Sequence, residues 1–177
     1  MGSELKLSIL FTKEQIAATV KRLAAEIRRD YRGENPILIA ILKGSFVFLA
    51  DLIRQLNFPL EVDFVQLSSY GRGTKSSGKI KVVQGLQSEV KGRHVLVIED
   101  IIDTGFTAAF LLDYLRQKKP ASLRLCALTD KPSRHKVRLK IHYLGLTVPD
   151  RFIVGYGIDW DERFRYLPNI CALEGEG

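Results

Sequence analysis

The chain has 177 residues, 46% hydrophobic and 27% charged, with a formal net charge of +7. That length supports one domain with a real core, and the composition is that of a globular chain, which excludes a disordered or fibrous one. No apolar stretch reaches bilayer-spanning length, and the basic residues are scattered without interleaved aromatics, so the positive excess points to small anionic ligands ahead of nucleic acid.

Met1-Gly2-Ser3-Glu4-Leu5-Lys6 reads as neither a signal peptide nor a myristoylation start, because no long apolar run follows and Lys6 stands where Ser or Thr is wanted. Thr12-Lys13-Glu14-Gln15 has the form of a capping box. Ile16, Val20, Leu23 and Ile27 then recur at helical spacing, which predicts an amphipathic helix over 13–30. Gly33 to Pro36 ends it. The apolar run Ile37 to Leu42 suits a strand buried on both faces, followed by a Lys43-Gly44-Ser45 turn and a helix over 46–56. A weaker strand is expected over 60–67. Residues 68–78 carry one aromatic and no aliphatic side chain and read as an exposed, mobile loop. Strands are expected to begin at Ile80 and to run over 94–99, 123–128, and near 140–145 and 152–157, with a helix using Ala108, Leu111, Leu112 and Leu115. An acidic, basic and aromatic cluster, Asp159 to Tyr166, closes the pattern.

Strands alternating with helices predict an α/β fold with a mostly parallel sheet, whose ligands sit beyond the carboxyl ends of the strands. Lys43, Glu99, Asp100, Asp103 and Lys131 all follow apolar strands and are expected to share one crevice. Cys126 and Cys171 lie in apolar surroundings and read as reduced core thiols of a cytoplasmic protein. His94, His135 and His142 lack metal-ligand spacing and read as structural or exposed.

The most informative stretch is 95–107, Val-Leu-Val-Ile-Glu-Asp-Ile-Ile-Asp-Thr-Gly-Phe-Thr. A buried strand delivers Glu99 and Asp100, a third acid follows at Asp103, and Thr104-Gly105-Phe106-Thr107 opens a helix. The bland alternative is a strand end with solvated acids and Asp103 or Thr104 as N-cap. The combination is rarer than that. Carboxylates can grip sugar hydroxyls or a metal, and a helix N-terminus with small hydroxylated residues can hold a phosphate, so the stretch suggests a sugar-phosphate site.

Glu99-Asp100-Ile101-Ile102-Asp103-Thr104-Gly105 resembles the phosphoribosyl pyrophosphate signature of the type I phosphoribosyltransferases, in the variant of their 6-oxopurine (hypoxanthine-guanine) branch. The resemblance extends in order from the strand at 37 to the terminal cluster. It implies the type I fold with a small hood built from the terminal segments, the N-terminus and about 130–177, within one domain over 1–177. It implies that Glu99 and Asp100 hold the ribose, directly or through Mg2+, and that Asp103, Thr104, Gly105, Phe106 and Thr107 cradle the 5-phosphate. Asp103 would face purine N7 as general base.

The match of Leu42-Lys43-Gly44-Ser45 to the pyrophosphate loop implies a non-proline cis peptide at Leu42-Lys43, with Lys43, Gly44 and Arg165 on pyrophosphate. Ser69-Tyr70 matches the catalytic lid. Lys131 would donate to the purine 6-oxo group, Phe152 would stack on the ring, Ile153 would offer its backbone to the base edge, and Asp159 would help hold Mg2+. Phe106 and Ser45 depart from the residues frequent in relatives. The expected activity is conversion of a 6-oxopurine and phosphoribosyl pyrophosphate to the nucleoside monophosphate and pyrophosphate, by a cytoplasmic homodimer or homotetramer with no membrane or nucleic-acid partner. The alternatives are a xanthine- or pyrimidine-preferring relative and an RNA-binding regulator on the same fold; Asp103, Lys131, Phe152 and Asp159 speak against the regulator.

Overall fold

The computed structural model describes residues 6–69 and 80–174. Its elements are β1 (Lys6–Phe11), α1 (Lys13–Tyr31), β2 (Ile37–Leu42), α2 (Phe46–Leu56), β3 (Glu61–Ser69), β4 (Ile80–Gln84), β5 (His94–Ile102), α3 (Phe106–Gln117), β6 (Ser122–Asp130), β7 (Tyr143–Thr147), β8 (Ile153–Val154) and β9 (Ile170–Glu174). A six-stranded sheet has the order β4-β3-β2-β5-β6-β7, and a three-stranded sheet the order β1-β9-β8. In the large sheet β3, β2, β5, β6 and β7 are parallel and β4 is antiparallel at the edge.

The period-2 alternation of strand side chains divides the core. Leu38 and Ala40 of β2, Leu96 and Ile98 of β5, and Cys126 and Leu128 of β6 pack with α1 and α2 on one face. Ile37, Ile39, Val95, Val97, Leu125 and Ala127 pack with α3 on the other. Strands covered on both sides must be apolar throughout, which is why β2 reads as an unbroken hydrophobic run. Thr12 caps α1 as the sequence predicts: its side chain accepts from the Gln15 N–H at 3.3 Å, and its own N–H donates to Gln15 Oε1 at 2.9 Å.

Two expectations need correction, and two strands were not expected. The central strand does not stop at Glu99. Ile101 and Ile102 stay paired with Thr129 and Asp130 of β6, so β5 runs three residues further and Glu99 and Asp100 lie inside it, buried. The strands expected near 140–145 and 152–157 are β7, later by some residues, and the two-residue β8. The sequence reading also passed over β1 and β9, which pair antiparallel in register Lys6↔Glu174 to Ile9↔Cys171. These terminal segments build the small sheet, and Leu173 and Glu174 of β9 line a cavity together with Asp103 and Lys131, which follow β5 and β6.

Candidate active site

Lys43 follows β2, Asp103 follows β5, and Lys131 follows β6, so the parallel strands deliver all three to one rim of the sheet. The Leu42-Lys43 peptide is cis. Gly44 lies directly against Asp100: a Cβ there would stand 2.0 Å from Asp100 Oδ2. Ser45 is fully buried and its hydroxyl donates to the Ile41 carbonyl at 2.5 Å, so the serine is accommodated by its own hydrogen bond.

Glu99 and Asp100 are both buried. Burial pushes both carboxyls above the usual range, Glu99 well above it, and the Asp100 charge adds to the rise at Glu99; the Arg165 charge partly offsets the rise at Asp100. Two adjacent desolvated acids ionise less readily together than either would alone, and a cation or hydroxyl donors would favour their charged forms.

Glu99 also lines a cleft of about 250 Å³ with Ile101, Ile102, Asp103, Thr104, Gly105, Thr107 and Ala108. Neither Asp103 nor Thr104 caps α3. The N-cap is Gly105, at φ +86°, a left-handed conformation that suits glycine. No side chain therefore blocks the first N–H groups of the helix, where an anion is favoured. Phe106 is not among the cleft's lining residues, so the phenyl leaves a backbone cradle intact.

Arg165 and Lys43 meet through acids. Lys43 Nζ is 2.9 Å from Glu162 Oε1, and Arg165 reaches Glu162 at 3.2 Å and Asp159 at 2.9 Å. Asp159 also accepts from the Glu162 N–H at 2.8 Å. Asp159 is thus engaged by Arg165 and lies outside the cavity that Lys131 and Phe152 line. Among the described residues no three acidic, histidine or cysteine side chains gather as a metal set.

That cavity, about 410 Å³, is lined by Asp103, Lys131, Arg134, Asp150, Arg151, Phe152, Leu173 and Glu174. Lys131 is 6% exposed; burial lowers its pKa, and the charges of Asp103 and Asp150 oppose that fall. Its Nζ lies 5.9 Å from the ring centroid of Phe152, which is 47% exposed at the mouth. Ile153 is buried with its side chain in the main core, so only its backbone remains for a ligand. Ser69 ends β3, while Tyr70 and 71–79 lie outside the described residues, and the lid expectation falls there.

Sequence reasoning missed Arg134, Asp150 and Glu162. Each is a charged residue in a turn, with no pattern to separate it from a solvated one. The histidines are structural or partly exposed: His94 bonds to Ser122, His135 to Asp130, and His142 accepts from the Leu125 N–H. Both cysteines are buried and free.

A family profile described as "Phosphoribosyl transferase domain" matches residues 7–161. The chain is 46% identical over 170 residues to a hypoxanthine-guanine phosphoribosyltransferase of Aquifex aeolicus, covering 96% of each. Among solved structures, a hypoxanthine phosphoribosyltransferase from Staphylococcus aureus superposes with a TM-score of 0.92 at 40% identity, over 97% of this chain and 92% of that one. A hypoxanthine-guanine phosphoribosyltransferase from Bacillus anthracis gives 0.90 at 47% identity, over 96% and 99%. With the sheet order, the acidic pair and the helix cradle in place, these likenesses mean that the chain belongs to the phosphoribosyltransferase family, in its hypoxanthine-guanine branch.

Proposed function

We propose that this chain transfers the phosphoribosyl group of phosphoribosyl pyrophosphate to N9 of hypoxanthine or guanine, in purine salvage. One observation carries the base specificity: Asp103, Lys131 and Phe152 line one cavity beside the helix cradle. A 6-oxopurine offers an acceptor at O6 to the Lys131 ammonium and a flat face to Phe152. Adenine presents an amino donor there and leaves the buried lysine unpaired, which a polar site rejects strongly.

The donor's 5-phosphate would rest on the N–H groups opening α3, its ribose hydroxyls on Glu99 and Asp100, and its pyrophosphate by Gly44, Lys43 and Arg165. Those two cations would exchange Glu162 for the phosphate oxygens. The C1–O bond breaks with its electron pair leaving on pyrophosphate, N9 forms the new bond to C1, and the N7 proton passes to Asp103. Mg2+ would suit the buried acidic pair, since a hard divalent cation takes one or two carboxylates and completes its shell with water and substrate oxygens. When bound, it supplies charge that eases departure of pyrophosphate. Asp159, already engaged by Arg165, is the weaker candidate ligand.

The lid assigned to Ser69 and Tyr70 would exclude water from the cationic carbon. The chain is further proposed to act in the cytoplasm as a homodimer or homotetramer. Both cysteines are free, no helix among the described residues is long and apolar enough to cross a membrane, and exposed Phe46 and Tyr166 border a cleft suited to a second subunit.

The test is monophosphate formation from hypoxanthine, guanine, xanthine, adenine and uracil with the same donor and Mg2+. Turnover of hypoxanthine and guanine, with adenine and uracil left unused, is the expected result. Preference for adenine or uracil, or no turnover of any base, would remove the proposal.

A further inference from the structure

Asp103 does not face the purine-side cavity alone. Arg134 Nε donates to Asp103 Oδ1 at 2.7 Å, and Nη1 of the same guanidinium lies 3.6 Å from Asp150 Oδ1. Arg134 closes the short 3-10 turn Pro132–Arg134 that follows Lys131, and Asp150 stands two residues before Phe152. All of them line the same cavity.

We propose that Arg134 is a positioning residue for proton transfer: it holds the Asp103 carboxylate by one oxygen, leaves the other for the purine, and ties Asp103 to the segment that carries Phe152. This rests on the reading of Asp103 as proton acceptor. Asp103 Oδ2 makes no hydrogen bond among the described residues, so it is the oxygen left for N7. A planar guanidinium offers donors in fixed directions and can serve two acids at once; a lysine ammonium is a single mobile point charge.

Arg134 also keeps Lys131 available. The Lys131 amine is nearly buried and feels the charges of both Asp103 and Asp150. Without the guanidinium, Lys131 is a cation of the same cavity that can answer the Asp103 charge, and an amine so engaged is less free for the purine 6-oxo group. The Arg134–Asp103 pair has side chains 43% and 42% exposed, and a pair so exposed contributes little to stability. Its loss should therefore be read in turnover rather than in folding.

The experiment is a double-mutant cycle of Arg134→Met and Asp103→Asn, with Arg134→Lys beside it, followed by steady-state kinetics and calorimetric binding of the donor. Arg134→Met is expected to lower kcat by about tenfold or more and to raise the KM for the base, with donor affinity within about twofold of the parent. Arg134→Lys should recover part of the loss. In the Asp103→Asn background, Arg134→Met should cost little further kcat. Equal losses in both backgrounds, or weakened donor binding that accounts for the whole effect, would overturn the proposal. If Asp103→Asn alone keeps the parent kcat, the reading of Asp103 is at fault, and that result is separate from the outcome for Arg134. Should Arg134→Met fail to fold, the same cycle run with Arg134→Lys decides.

Discussion

Gly44 leaves no room for a side chain beside the acidic pair. A methyl group there would meet Asp100 Oδ2 at 2.0 Å and Cγ at 2.7 Å. The carboxylate, not the backbone, has to give, and it is buried with nowhere comfortable to go. Gly44→Ala is therefore expected to weaken donor binding by about tenfold or more and, as an overpacked site, to lower the melting temperature as well, as measured by calorimetry and thermal denaturation. Unchanged donor affinity would show that Asp100 does not bear on the sugar. The sequence flagged Lys43, Asp103 and Lys131 by their place after an apolar strand, whereas Gly44 was marked only through the resemblance of Leu42-Lys43-Gly44-Ser45 to the pyrophosphate loop. Arg134 and Glu162 escaped because their meaning lies wholly in their partners, Asp103 at 31 residues' separation and Lys43 at 119. Nothing local distinguishes such a side chain from one facing water.

Elements were legible where periodicity and caps agree, as in α1, α2 and β2, and illegible where pairing alone defines them. β1 and β9 lie at opposite ends of the chain, and β1 is only partly buried, so it shows no clean alternation. The end of β5 was misplaced for a related reason. A pair of acids signals solvent, yet β6 continues to offer partners through Asp130, and the ladder holds the acids inside. Asp63 on β3 shows another element-level device. Its carboxylate accepts from the N–H of Phe64 at 2.7 Å, Gln87 at 2.9 Å and Ser88 at 2.7 Å, anchoring the segment between β4 and β5. Burial alone would raise its pKa, but the N–H groups of Ser88, Phe64 and Gln87 prevail and hold it below the usual Asp value. A depressed folded-state pKa contributes stability above the unfolded value, and that contribution is lost as pH falls through the folded one. Asp63→Asn turns an amide toward those donors and should cost about 2 kcal/mol, or roughly 4–8 °C in melting temperature at neutral pH. The gap between parent and variant should close as the pH falls below the usual Asp range. A gap that persists in strong acid would mean that packing, not charge, is what the substitution removes.

Across the whole molecule the net charge is +7, and part of it is concentrated in one segment. Lys136, Arg138 and Lys140 are exposed at alternate positions of an extended segment and make no ion pair among the described residues. The residues between them turn inward: a Cβ on Gly105 would meet Val137 and Leu139 at 2.9 Å, and the Lys136 N–H donates to the Thr104 carbonyl at 2.9 Å. Three cations with no ion pair among the described residues thus stand on the outer side of the segment that packs against the start of α3. A fixed field of one sign beside a concave site draws in a polyanion and is screened by salt within about 8–10 Å at ordinary ionic strength. The same field does not touch the reacting bonds. Replacing all three residues by Gln should therefore lower kcat/KM for phosphoribosyl pyrophosphate several-fold at low salt and leave kcat unchanged. The parent's kcat/KM should fall steeply as salt is raised, the variant's should fall less, and the two should converge at high ionic strength. If both decline with the same slope, the charge serves solubility and the donor arrives unaided, because steering by these side chains has no way to act without a salt dependence of its own.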